Sequence, residues 1–254
     1  MKKALFIIFF CCVQLVNSSA KAADAYYYQL KVYHLKTTRQ ATRLDAFLKD
    51  AYLPALHRAG VKMAGVFKPV VKDTTDQLVY VFIPFKKFDQ FLALSGRLEK
   101  DTRYLADGKD YLEAINTDPV YTRMESILLR AFSGMPEPMA PKLTSPKSER
   151  VYELRSYESA TEAITANKIG MFNQDEITIF TNLNFNAVFY GQVVSGPRMP
   201  NLMYLTTFNN KADRDKHWAD FGPEYKKISG LPKYSNTATK NTIIFLTPTD
   251  YSDI

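Results

Sequence analysis

Three side chains able to do acid–base or anion chemistry stand at alternate positions in one short stretch. Glu153, Arg155 and Tyr157 lie in RVYELRSY, residues 150–157. Successive side chains of an extended strand point to opposite faces, so these three share one face, and Tyr152 and Leu154 share the other. A carboxylate two residues from a guanidinium can hold it, and the neighbouring phenol adds a hydroxyl. Such a set can fix a carboxylate or a polarised carbonyl. It can also be an ion pair that satisfies two buried charges where sheets meet, and this structural reading is the favoured one. A fainter version, Gln29, Lys31 and Tyr33, stands in YYYQLKVY 124 positions earlier.

The chain has three histidines, His34, His57 and His217. A haem or metal site would take one of them as a ligand. His217 stands beside Trp218 and near Arg214, but Asp213, Asp215, Lys216 and Asp220 around it read as a wetted helix face. His57 follows Leu56 near an expected helix end, where it can interact with the last carbonyls. There is no HExxH, no GxSxG and no glycine-rich phosphate loop, and Ser195-Gly196-Pro197 reads as a turn. No catalytic residue, no metal ligand and no cofactor is assigned. The candidate ligand-binding residues are Glu153, Arg155, Tyr157, Tyr33, Lys31, His217 and Trp218.

The elements that must position these residues come in two similar sets. Tyr28, Leu30 and Tyr33 match Tyr152, Leu154 and Tyr157, and the same offset pairs Leu78 with Leu202 and Tyr80 with Tyr204. A constant offset over some 50 residues marks an internal repeat. The first copy, 23–133, predicts a strand at 26–34, a helix over 39–59 interrupted near Pro54 and stopped at Gly60, a strand pair, further helix and a closing strand. A proline-rich linker follows at 134–149, and the second copy runs over 150–254, with its last residues, 248–254, expected as an exposed extension. The order strand, helix, strand, strand, helix, strand is α+β, two tandem ferredoxin-like domains, each with one sheet face left uncovered. The two copies can close one barrel within the chain or pair with a second chain; the short linker favours the former by raising effective concentration.

At the amino terminus, Met1–Lys3 is basic, Ala4–Val16 is apolar and Ala20-Lys21-Ala22 offers small residues to a signal peptidase. The expectation is a cleaved signal peptide, residues 1–22, with a periplasmic or secreted product and no stable membrane anchor after cleavage. Both cysteines lie in that segment, so a disulfide or thiol nucleophile is excluded from the remainder. Loss of Lys2, Lys3 and Lys21 lowers the formal charge from +7 to +4, which is no nucleic-acid footprint. The 16 Tyr and 17 Phe read as core and interface.

YELRSY at Tyr152–Tyr157 and PNLMYLTTFNNKADRDKHWADFGPEYKK at Pro200–Lys227 resemble the NIPSNAP family, the first as its opening strand and the second as its third strand and following helix. The first copy departs from it, with Gln29 and Lys31 where the signature has Glu and Arg. The resemblance implies an exported bacterial member with a dimeric α+β barrel arrangement, in which the uncovered sheet faces pack together. It also implies a superfamily that includes monooxygenases, haem-binding proteins and peroxidases.

With no recognisable catalytic set, the first functional expectation is a non-catalytic role. It would bind an apolar or weakly acidic small molecule in the barrel interior, or associate with a protein partner. Two alternatives stand beside it. One is a cofactor-free monooxygenase or haem-dependent enzyme using that interior; the other is a structural homo-oligomer whose interior is filled. Alternation is read to aim Glu153, Arg155 and Tyr157 into the interior and Tyr152 and Leu154 at the helices.

Overall fold

Strand alternation fixes the architecture once water is excluded from one face. The computed structural model describes residues 25–254 except Lys72, so the segment read as a signal peptide lies outside the described residues. The strands are β1 (Tyr27–Leu35), β2 (Gly65–Pro69), β3 (Gln77–Phe85), β4 (Arg123–Ala131), β5 (Val151–Glu158), β6 (Phe189–Ser195), β7 (Asn201–Phe208) and β8 (Lys240–Pro248). They form one closed antiparallel barrel in the order β1-β3-β2-β8-β5-β7-β6-β4. The barrel closes within the chain at two seams. At one, Phe67 of β2 opposes Pro248 of β8; at the other, Ala131 of β4 opposes Gly191 of β6. Closure leaves no open sheet edge.

Helices cover the outside. After β1 come α1 (Thr38–Ala46), a π-helical turn Phe47–Tyr52 and α2 (Leu53–Arg58). The interruption expected at Pro54 is thus taken up just before it. Gly60, at φ +92°, ends α2 with Val61 N–H donating to the Leu56 carbonyl at 3.0 Å, the left-handed stop only glycine adopts freely. Next are α3 (Phe88–Leu98), α4 (Thr102–Asp107) and α5 (Lys109–Leu112). The second half repeats the pattern with α6 (Glu162–Met171), a π-helical turn Phe172–Glu176, α7 (Ile177–Asn182) and the long α8 (Lys211–Ser229). The Asn210 side chain caps α8 by accepting from Asp213 N–H.

The interior is filled, not hollow. Tyr28, Phe67, Phe82, Tyr152 and Phe189 meet there with Leu30, Leu129, Leu154 and Leu205. Phe82 and Phe189 stack at 4.9 Å between centroids, and Tyr152 lies 5.1 Å from Phe67. The expected facing is therefore reversed. Tyr152 and Leu154 point inward, while Glu153, Arg155 and Tyr157 lie under the helices. Period two tells which residues travel together; the dry face takes the set without charges, because an unpaired buried ion costs several kcal/mol.

A second difference concerns the repeat itself. Lys31 opposes Val81, and its counterpart Arg155 opposes Tyr204. The structural match of Tyr204 is thus Val81, one residue from the Tyr80 that a constant offset selects. A one-residue slip changes faces, and Tyr80 accordingly sits in the barrel interior while Tyr204 lies beneath the helices. The last residues are no exposed extension either. Ser252 Oγ accepts from Val66 N–H at 2.9 Å, Asp253 accepts from Ala64 N–H at 2.7 Å, and Ile254 is buried in the barrel. His57 takes the Asp253 carboxylate at 2.8 Å instead of helix-end carbonyls.

Candidate functional site

Glu153 is the anchor of the outer face in the second half. It is fully buried, and it accepts from Arg155 Nε at 2.6 Å, Arg214 Nε at 2.7 Å and Trp218 Nε1 at 2.8 Å. Two cations and an indole thus satisfy one carboxylate in place of water. The Arg155 guanidinium carbon stands 3.6 Å from the Trp218 ring centroid, a cation–π contact that keeps the guanidinium flat against α8. Its remaining edge donates to Tyr157 Oη at 3.1 Å, and Tyr157 and Tyr204 share a hydrogen bond of 2.8 Å.

Opposite this strand set, α6 and the π-helical turn deliver a second ion pair. Lys168 donates to Glu176, and both are almost fully buried. Lys168 also reaches Tyr225 Oη at 3.3 Å. Burial raises the Glu176 carboxyl above the usual carboxylate range even with the Lys168 charge beside it. Burial opposes the Lys168 ammonium, but the Glu176 carboxylate outweighs it and holds that amine above its ordinary value. The Tyr204 phenol is pushed well up by burial, so it stays a protonated donor.

These groups line one cavity of about 560 Å³, with Arg155, Tyr157, Tyr204, Lys168, Glu176 and Trp218 on its wall. The arrangement pairs a buried carboxylate, able to take a proton, with a guanidinium and two phenols able to hold a developing anion.

The residues singled out from sequence divide into three groups. Arg155, Tyr157 and Trp218 line this cavity, with Glu153 directly behind them. Lys31 and Tyr33 line a separate cavity of about 530 Å³ in the first half. His217 joins neither. Its Nδ1 lies 2.7 Å from the Asp213 carbonyl oxygen and 3.2 Å from the Asp213 carboxylate, and its ring packs edge-on against Phe185. A haem held by histidine therefore does not fit the cavity, whose wall carries no histidine among the described residues. Sequence reasoning missed Lys168 and Glu176, and it named Arg214 only as a neighbour of His217. The available signal was two opposite charges eight residues apart within a stretch otherwise read as helix, a spacing that shares one helical face and that the π turn brings closer to alignment.

No family model matches the chain, and no curated protein matches it in sequence. Solved structures do. A candidate monooxygenase from Lactobacillus acidophilus NCFM superposes with a TM-score of 0.55 at 11% identity, over 88% of this chain and 94% of that one. A candidate monooxygenase from Fusobacterium nucleatum gives 0.55 at 9% identity, over 88% and 92%. These neighbours are dimeric α+β barrel proteins, and the chain shares their fold. An anthrone oxidase-like protein also shares it, at a TM-score of 0.52 and 8% identity, over 90% and 93%.

These likenesses correct the non-catalytic expectation. It rested on the absence of a familiar motif, yet proteins that share this barrel include two candidate monooxygenases and an anthrone oxidase-like protein. The packed interior also leaves no room in the barrel lumen for the ligand expected there, and the cavities described above lie outside it.

Proposed function

We propose that the cavity of the second half is the active site of a cofactor-free oxygenase acting on an activated aromatic methylene or phenol. The observation that carries this reading is the convergence of Glu176 with Arg155 and Tyr157 on one cavity. Glu176 accepts the proton of the acidic C–H or O–H; its burial makes it a stronger base than an exposed carboxylate. Arg155 and Tyr157 hold the enolate or phenolate oxygen that results. Lys168 and Tyr225 fix the position of the base. Dioxygen then oxidises the anion. For a methylene, one molecule of dioxygen converts the carbon to a ketone: one oxygen atom becomes the carbonyl oxygen, the other leaves as water with both methylene hydrogens, and the substrate supplies the electrons.

Fold likeness to an anthrone oxidase-like protein supports the substrate class, and the absence of a histidine from the cavity wall favours this reading over a haem-dependent one. The finer assignments are proposals of the same kind. The strand orders β4-β1-β3-β2 and β6-β7-β5-β8 support two tandem ferredoxin-like units, YELRSY and the Pro200–Lys227 segment support a NIPSNAP relationship, and residues 1–22 support export.

The test is oxygen uptake and quinone absorbance with anthrone and with 1,4-dihydroxynaphthalene, corrected for autoxidation in buffer. Glu176→Gln is expected to lower the enzymic rate about 100-fold. No uptake above buffer with either compound, or an unchanged rate in Glu176→Gln, overturns the reading.

A further inference from the structure

The first half carries the same architecture with its charges edited. The 124-residue offset sets Lys31 on Arg155, Gln29 on Glu153, Leu44 on Lys168 and Tyr52 on Glu176. Both carboxylates that neutralise the cations of the second cavity are thus replaced by neutral side chains in the first, while one cation is kept.

Lys31 consequently has no carboxylate within ion-pair distance among the described residues. Its ammonium instead stands 4.8 Å from the centroid of the Tyr52 ring. Gln29 turns its amide to Ser126 Oγ at 2.8 Å. Burial pushes the Tyr33 and Tyr52 phenols up, so they stay neutral and supply no countercharge. Glu99 is the one carboxylate bordering the cavity, at an exposed position. Burial also lowers the Lys31 amine to about 8, leaving a sizeable share of it as the free base near neutral pH.

The cavity around this amine has about 530 Å³ of space, walled by Phe47, Tyr33, Tyr104 and Tyr111. Its border includes Leu92, Leu105 and Leu112, all exposed. An aromatic wall, an apolar border and an uncompensated amine do not suit a water-loving ion. They suit a neutral carbonyl compound with an apolar body.

We propose that Lys31 forms an imine with an apolar aldehyde or ketone bound in the first-half cavity. The Nζ lone pair attacks the carbonyl carbon, a carbon–nitrogen double bond replaces the carbonyl, and both amine hydrogens leave with the carbonyl oxygen as water. Tyr33 and Tyr111, whose hydroxyls lie 3.4 Å apart, line the same cavity. The step needs no oxidant or reductant. It is independent of the oxygenase reading, which concerns the other cavity.

The test treats the full chain with benzaldehyde and sodium cyanoborohydride at pH 7.5, followed by intact mass and peptide mapping. Expected is a benzyl adduct on Lys31, mapped apart from the one on the α-amino group and formed at least about tenfold faster than on any exposed lysine, because the free-base fraction there is larger. Lys31→Met is expected to lose that adduct while keeping the wild-type circular dichroism spectrum and a melting midpoint no lower than that of the wild type. Labelling spread over exposed lysines with Lys31 no faster, or a fast lysine adduct that survives in Lys31→Met, overturns the proposal.

Discussion

Arg155 and Trp218 meet face to face, 3.6 Å from guanidinium carbon to ring centroid, while both donate to the same carboxylate, Glu153. Strand β5 and helix α8 are thereby locked around one buried charge, which also holds Arg214.

Removing that charge leaves two arginines without their shared partner. Glu153→Gln is expected to destabilise the chain by about 3–5 kcal/mol, the cost of breaking a buried pair. Urea unfolding followed by the fluorescence of Trp218, the only tryptophan, measures it. Lys211→Gln, which breaks an exposed pair with Asp215, is expected to change stability by less than about 1 kcal/mol.

The first half builds the same helix and π turn with Leu44 and Tyr52 at the positions of Lys168 and Glu176. Lys168→Leu alone is expected to cost about 3–5 kcal/mol by stranding Glu176. The double variant Lys168→Leu/Glu176→Tyr is expected to regain most of that loss and to have no oxygenase activity. Denaturation midpoints of the two variants, set beside the oxygen-uptake rate of the double variant, decide the point.

Burial of Glu176 also predicts the pH profile of that activity. The base must be ionised, and its carboxyl titrates above the usual carboxylate range. The rate is therefore expected to rise with pH through an inflection higher than that of an ordinary glutamate. Initial rates across roughly pH 4–8, a range that starts at the ordinary carboxylate value, show whether the limb is displaced.

Lys31 titrates at about 8 when folded, against 10.5 as the ordinary value. Between these values the unfolded chain binds the extra proton, so stability rises with pH across that window. Below about 8 both states are protonated and the buried charge is a constant cost. Lys31→Met is expected to be the more stable protein at pH 7, with its advantage shrinking as the pH is raised from 8 to 10. Paired urea titrations of wild type and variant at pH 7 and pH 10 measure the difference.

The β4–β6 seam tolerates little added volume. A Cβ on Gly191 would stand 3.0 Å from Leu129 Cβ and 3.2 Å from its Cδ2, inside the filled barrel. Gly191→Ala is expected to cost about 1–3 kcal/mol through overpacking, read as a lowered thermal midpoint.

Much of this molecule is legible in its residues. Alternation alone groups Glu153, Arg155 and Tyr157 on one face and Tyr152 and Leu154 on the other, and the repeat announces that the group has a counterpart at Lys31 and Tyr33. Pro54 and Gly60 mark a break and a stop that the chain observes. These are local matters, governed by backbone geometry within a few residues.

Which face turns inward is not local. It depends on β2 meeting β8 and β4 meeting β6, so that one surface of every strand is closed off from water and must be filled by Tyr28, Phe82, Tyr152 and Phe189. The charged set then has only the helices to face, and there α6, the π turn and α8 bring Lys168, Glu176, Arg214 and Trp218 to it from 13 to 63 residues away. The sequence determined the company each of these residues keeps along its own strand. Only the closed barrel decided that Arg155 faces Trp218 and Glu176 instead of the interior, because the cost of desolvating a charge is set by what the whole chain excludes from water.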